Sequence, residues 1–251
     1  MKGKPLQIRM LIGIALAGAL AGLPSSAPKS PLPPPPVWQD ADYPKYTAET
    51  FAAYPPAAEP IDFLKVNYPL LSAAIFYETN RVRAMHDLPP LQHCPALEVA
   101  AEMHAHDMVI GDFFSHDNPH DPDRRTPALR LAQVGITSGR RTENIADTFG
   151  IQYKSGGLVI PPKTGQPAFL DYTTRQPIPP HTYLSFAAAV VDEWLHSPGH
   201  RENILDDRVK YLGCGAYHYR RIHFHYMDCF KVAQEFASVV PEAFLRPRIP
   251  Q

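Results

Sequence analysis

From residue 70 onward the apolar positions repeat at helical spacing, then late in the chain switch to strand-like runs. Leu71, Ala74, Ile75 and Val82 mark one face of a helix over 70–85, which Pro89 and Pro90 prevent from extending. A second helix is expected over 95–110. Pro95 suits its first position, Leu97, Ala100, Ala101, His104 and Met108 form its stripe, and Gly111 ends it. A third should run over 126–133, capped by Thr126 and stopped at Gly135. A fourth, over 185–196, carries Ala187, Val190, Val191 and Trp194 on one face.

Strand character concentrates at 211–219 and 223–237, runs rich in Tyr, Phe, Val and Ile joined near Arg220 and Arg221. A shorter strand is expected over 142–146. Between 151 and 180 lies a Gly/Pro-punctuated insertion holding Leu158-Val159-Ile160 and Ala168-Phe169-Leu170, read as a hairpin or flap beside the core. If that flap covers a cleft, Tyr153, Phe169 and Tyr172 become candidate ligand contacts. Helices segregated from antiparallel strands predict an α+β fold. About 170 globular residues bury roughly 70 % of their unfolded surface, so folding needs no metal.

The ends read differently. Lys2, Lys4 and Arg9 precede an apolar run from Met10 to Leu20, with small residues at Ala19-Leu20-Ala21, the pattern of an export signal over 1–21. The run falls short of the ~20 residues that span a bilayer, so no transmembrane span is expected beyond it, an uncleaved anchor being the alternative. Prolines crowd 22–66, including Pro33-Pro34-Pro35-Pro36, and predict an extended tether or surface-hugging arm. The globular domain is placed at 67–240, with the insertion at about 150–181 and a tail at 241–251. Removing the signal leaves 21 Lys+Arg against 25 Asp+Glu, a net charge of about −4. No basic block or aromatic ladder points to nucleic acid. Twelve histidines drive the charge positive as pH falls toward 5. Cys214 and Cys229 lie in facing strand runs, where a cross-strand disulfide is expected, while Cys94 is left as an inert buried thiol.

Three fragments carry the candidate chemistry: Phe113-Phe114-Ser115-His116, Glu143-Asn144-Ile145-Ala146, and Trp194 followed by Ser197-Pro198-Gly199-His200-Arg201 with Asn203-Ile204-Leu205. With Asn80-Arg81-Val82-Arg83, Pro90-Leu91 and Gly213-Cys214-Gly215, their order resembles the CAP superfamily of cysteine-rich secretory, antigen 5 and pathogenesis-related proteins, on its bacterial SCP-like branch. The resemblance spans about residues 70–237. It implies a three-layer α-β-α sandwich with a central antiparallel sheet and a cleft holding His116, Glu143 and His200. Family members often carry a second glutamate where Ser197 stands here, and a glycine where Thr142 stands, so the resemblance implies a triad in place of a tetrad.

Two neutral imidazoles and a carboxylate suit zinc or another divalent cation, with a fourth position for water or ligand. Without metal the same trio can position a general base, or can simply brace loops. No organic cofactor is expected. His104 and His106 diverge on their helix, and His104 reads as core. His196 is separated from His200 by the helix-breaking Pro198-Gly199, and Trp194 reads as core. The chain lacks His-Glu-x-x-His and Gly-x-Ser-x-Gly, which removes support for standard zinc proteases and α/β-hydrolases. Ser115 and Ser197 adjoin cleft histidines too closely in sequence to pair with them as nucleophiles. The expectation is a secreted binding module, extracellular or periplasmic, for a small, lipid-like or peptide ligand or a divalent metal. One alternative is a hydrolase using zinc on His116 and His200, with His116, Glu143 and His200 as catalytic candidates. Another is an envelope interaction module with a vestigial cleft.

Overall fold

The computed structural model describes residues 38–165 and 168–248. The expected signal segment and the first part of the proline-rich arm lie outside the described residues. The elements in order are α1 (Ala48–Phe51), α2 (Tyr68–Met85), β1 (Gln92–His93), α3 (Pro95–Ile110), α4 (Pro127–Gln133), β2 (Arg141–Phe149), β3 (Val159–Ile160), β4 (Leu170–Asp171), α5 (Tyr183–Leu195), α6 (Pro198–Ile204), β5 (Tyr211–Arg221) and β6 (Met227–Ala237). The main sheet runs β1-β5-β6-β2. Its three long strands are antiparallel, and the short β1 adds in parallel at one edge. Among the described residues no helix is long and apolar enough to cross a membrane.

Strand alternation assigns the layers. Even-numbered Leu212, Ala216, Phe230, Val232 and Phe236 pack with Leu71, Ile75, Val190 and Trp194, so α2 and α5 cover one face. Odd-numbered Ile145 and Ala233 pack with Ala101 and Met108 of α3 on the other. The result is an α-β-α sandwich. Gly213 and Gly215 let α3 lie directly on β5. A Cβ at Gly213 would stand 2.0 Å from the Glu98 nitrogen, and one at Gly215 2.2 Å from that of Glu102. Both obstacles are helix backbone, so Gly213→Ala is expected to cost about 3 kcal/mol, the upper end for overpacking, read from the urea midpoint. A loss under about 0.5 kcal/mol would mean that α3 is not seated there.

The helix boundaries follow their caps: the Thr126 and Thr182 hydroxyls accept from the backbone of Leu129 and Ser185. Gly111 is the C-cap that ends α3, as expected, though not through a left-handed conformation of its own. Its φ is −85°, and the left-handed turn falls on Asp112, while a Cβ at Gly111 would meet the His120 ring.

Three expectations are corrected. The arm expected at 22–66 is not a tether from residue 38 on. Trp38, Tyr43, Phe51, Ala57 and Ile61 are buried in the main core, because this segment alternates its prolines with aromatic side chains that stack edge-on around Trp38. The Cys214–Cys229 bridge does not form: all three cysteines are free. The register sets Cys214 opposite Gln234 and Cys229 opposite Tyr219, five residues apart along β5, so the two thiols leave opposite faces of the sheet. Burial raises the pKa of each thiol, that of Cys229 to about 12, which suits inert cysteines. The insertion forms the small β3–β4 hairpin, but its Phe169 and Tyr153 pack with Phe149, Phe224 and Cys229. Phe149 lies six residues along β2 from Glu143, roughly 20 Å. Tyr153, Phe169 and Tyr172 are therefore dropped as contacts to a ligand at Glu143.

Candidate functional site

β2 is the outer strand of the sheet, and the candidate residues meet around its start. Glu143 is odd-numbered and points to the α3 face. The loop after α3 brings His116 onto it, with Nδ1 2.7 Å from Glu143 Oε1. His200, on α6, arrives from the other side of the strand. The Asn144 amide donates to its carbonyl at 3.2 Å, and the ring centroids of His116 and His200 stand 6.3 Å apart. The three side chains singled out in the sequence thus converge, although they come from a loop, a strand and a helix.

Glu143 is buried, and its second oxygen is also engaged: Arg130 Nη2 donates to Oε2 at 2.5 Å. Arg130 is itself fully buried on α4. It also donates to the carbonyls of His116, Arg124 and Arg125, which ties the His116 loop to the carboxylate. His104 donates through Nε2 to the Ser115 carbonyl at 3.1 Å and lies 3.9 Å from Glu143 Oε2. It is core, as expected, and it also anchors the loop. Directly opposite Glu143 in the register is Glu235, with no exposed surface.

This crowding sets the protonation states. Burial would raise the Glu143 pKa, but the bond to His116 and the neighbouring His104 and Arg130 outweigh it, bringing it down to about 2. Glu235 goes the other way, pushed well above the carboxylate range by burial and by the charge of Glu143. Of the two facing carboxylates Glu235 is therefore the protonated one; its oxygens have no hydrogen-bond partner among the described residues, and Arg130 Nε stands 4.0 Å from one of them. Burial lowers the His104 pKa to about 4 against the pull of Glu143, and lowers that of His200, helped by His116.

Glu143 accepting from His116 Nδ1–H orients the ring, and whenever that ring is neutral its Nε2 is the lone-pair acceptor. The His116 side chain is 48 % exposed, so this nitrogen is within reach of a solute. As metal ligands the two imidazoles fit, since their spacing allows them to share an ion. Glu143 does not fit as the third: both its oxygens are committed to His116 and Arg130. Among the described residues, the group of three whose ligand atoms all lie within 4.8 Å of one another is Asp40, His93 and Glu98, elsewhere in the fold.

The remaining candidates sit apart. His196 is exposed and donates to the Asp192 carbonyl of its own helix. His106 stands edge-on to Tyr217. Ser115 Oγ accepts from the Asp117 amide, and Glu193 lies beside Thr148 further along β2. Trp194 is buried, and its indole donates to the Ile145 carbonyl at 2.9 Å. Asn203 donates to the Glu143 carbonyl at 3.2 Å. These two side chains hold α5 and α6 against the outer edge of β2. Exposed Phe114, its ring 5.3 Å from Lys231 Nζ, adds an apolar surface two residues from His116.

A family model described as "Cysteine-rich secretory protein family" (CAP) matches residues 76–229. No curated protein matches the chain. Similar solved structures include an extracellular protein containing an SCP domain from Bacillus anthracis str. Ames, at 24 % identity and TM-score 0.46, covering 69 % of this chain and 42 % of that one. An outer surface protein of Borrelia burgdorferi matches at 17 % identity and TM-score 0.43, covering 67 % of this chain and 92 % of that one. A cysteine-rich secretory protein from Staphylococcus aureus matches at 14 % identity and TM-score 0.41, over 68 % of this chain and 39 % of that one. This chain thus spans less than half the length of the first and third of these proteins.

Proposed function

The chain belongs to the CAP family of cysteine-rich secretory proteins, and from that membership we propose that it is an exported binding module. Its ligand is a small molecule or peptide segment that offers hydrogen-bond donors to His116 and His200 and an apolar part to Phe114. The observation carrying this reading is the His116–Glu143–Arg130 chain of bonds, which orients one half-exposed imidazole from a fully buried base. Such preorganisation suits recognition, because the ligand does not have to order the ring. Ser115, the hydroxyl nearest in sequence to His116, is turned to the Asp117 amide, so the reading invokes no serine nucleophile. A divalent ion held by the two imidazoles would add a Lewis-acidic position to the same cleft.

The test compares the parent protein with His116→Ala/His200→Ala against three probes: a mixed tripeptide library, a sterol and zinc chloride. The expected result is that one probe class binds the parent and is weakened at least tenfold in the variant, about 1.4 kcal/mol, with the melting temperature little changed. Unchanged binding of every probe together with a fall in melting temperature would make the cluster structural. Turnover of a peptide or ester panel, lost in the variant, would move the assignment to a hydrolase.

A further inference from the structure

A second cluster lies at the edge of the sheet that carries β1. Asp40, from the two-turn 3-10 helix Asp40–Lys45, meets His93 of β1 and Glu98 of α3. Their side chains are 5 %, 8 % and 1 % exposed, and each offers a ligand atom within 4.8 Å of the others. Tyr43 stacks on the His93 ring at 3.5 Å, and its hydroxyl donates to Glu98 Oε2 at 2.7 Å, the oxygen that also meets His93 Nε2 at 2.7 Å. Asp40 and His93 form part of the wall of a cavity of about 650 Å³, lined also by Tyr46, Phe76, Tyr77 and Leu245.

Two facts set this place apart from a self-sufficient core network. First, a cation already sits in it. The guanidinium of Arg248, near the C-terminal end, donates to Asp40 at 2.8–3.2 Å and to Glu102 at 3.2 Å, and it also contacts Glu98. One guanidinium thus faces three carboxylates, and its side chain is 37 % exposed. Second, Asp40, Tyr43, Leu245 and Arg248 all lie outside residues 76–229, so the site is built by segments added around the family domain.

We propose that Asp40, His93 and Glu98 form a divalent-cation site of the zinc class, opening onto this cavity, with Arg248 as the internal cation that a metal displaces. One imidazole nitrogen and two carboxylate oxygens are a borderline donor set, and the cavity leaves a fourth position for water or a small ligand. The doubly charged ion neutralises the carboxylates better than a single guanidinium. Its arrival turns His93 Nε2 from a partner of Glu98 into a ligand and frees the 245–248 segment. The site is independent of His116 and His200.

The experiment is zinc titration by calorimetry of the full chain, stripped with chelator, at pH 7. One equivalent is expected to bind the parent, to persist in His116→Ala/His200→Ala, and to weaken at least tenfold in His93→Ala. Arg248→Ala, a change in a half-exposed tail, is expected to tighten binding about tenfold by removing the competitor. If circular dichroism shows His93→Ala unfolded, Asp40→Asn takes its place. Zinc affinity unchanged by His93→Ala or Asp40→Asn would overturn the proposal. So would zinc lost only in the His116/His200 variant, or an Arg248→Ala protein that binds no more tightly than the parent.

Discussion

Replacing Arg130 by methionine is expected to destabilise the fold by about 3–5 kcal/mol, the range for removing one partner of a buried ion pair. The side chain has no exposed surface, and its guanidinium holds Glu143 Oε2 and three backbone carbonyls. Methionine fills much of the volume and satisfies none of these acceptors, so Glu143 would be left charged in an apolar surrounding. Urea denaturation measures the loss. A second variant separates charge from packing. Arg130→Met/Glu143→Gln removes the orphaned charge as well and is expected to recover part of the deficit. A loss below about 1 kcal/mol in the single variant would mean that Glu143 is solvated and that the cleft lacks the rigid base assigned to it.

Glu235→Gln is expected to stabilise the protein, increasingly so as pH rises. The folded pKa of Glu235 lies well above its unfolded value, so its contribution is fully present below about pH 4.3 and is lost as pH climbs toward the raised value. Across that window each pH unit costs the parent up to about 1.4 kcal/mol, because unfolding releases a proton that the folded state retains. Glutamine cannot ionise, and it keeps the shape of the protonated carboxyl beside Glu143. The two proteins should match near pH 4.5 and diverge toward pH 8 in denaturation midpoints. Glu143 has the opposite sign: its depressed pKa supports the fold above about pH 4.3, and that support fades as pH falls toward 2. A variant less stable than the parent at every pH would show that Glu235 is ionised and serves Arg130 as a second counter-charge.

The sequence made the fold legible where periodicity was strong. The stripe of α3 and its Pro95 start gave the helix at its observed bounds, and Thr126 gave the start of α4. It was least legible where tertiary contacts override local chemistry. Pro-rich composition hid the aromatic side chains that bury residues 38–61, and the adjacent strand runs suggested a disulfide that the register forbids. In the cleft, the three residues carried by the family motifs do converge. Their supports were not foreseen. Arg130 sits between Leu129 and Leu131 and reads as an ordinary surface charge on a short helix. Glu235 did leave a signal: Lys231, Ala233 and Glu235 alternate onto one face, so an acid in that strand had to point inward. Alternation alone could have flagged it, but only the register places it against Glu143.

The outer border of β2 has a further consequence. A bare rim of backbone acceptors invites a strand from another chain to add on, the usual route to self-association and fibril growth. Here the indole of Trp194 and the amide of Asn203 occupy the carbonyls of Ile145 and Glu143. Two residues of the family signature thus act as guards for the polypeptide that carries them, independent of any ligand, and selection against aggregation would retain them even in a relative whose cleft had fallen out of use.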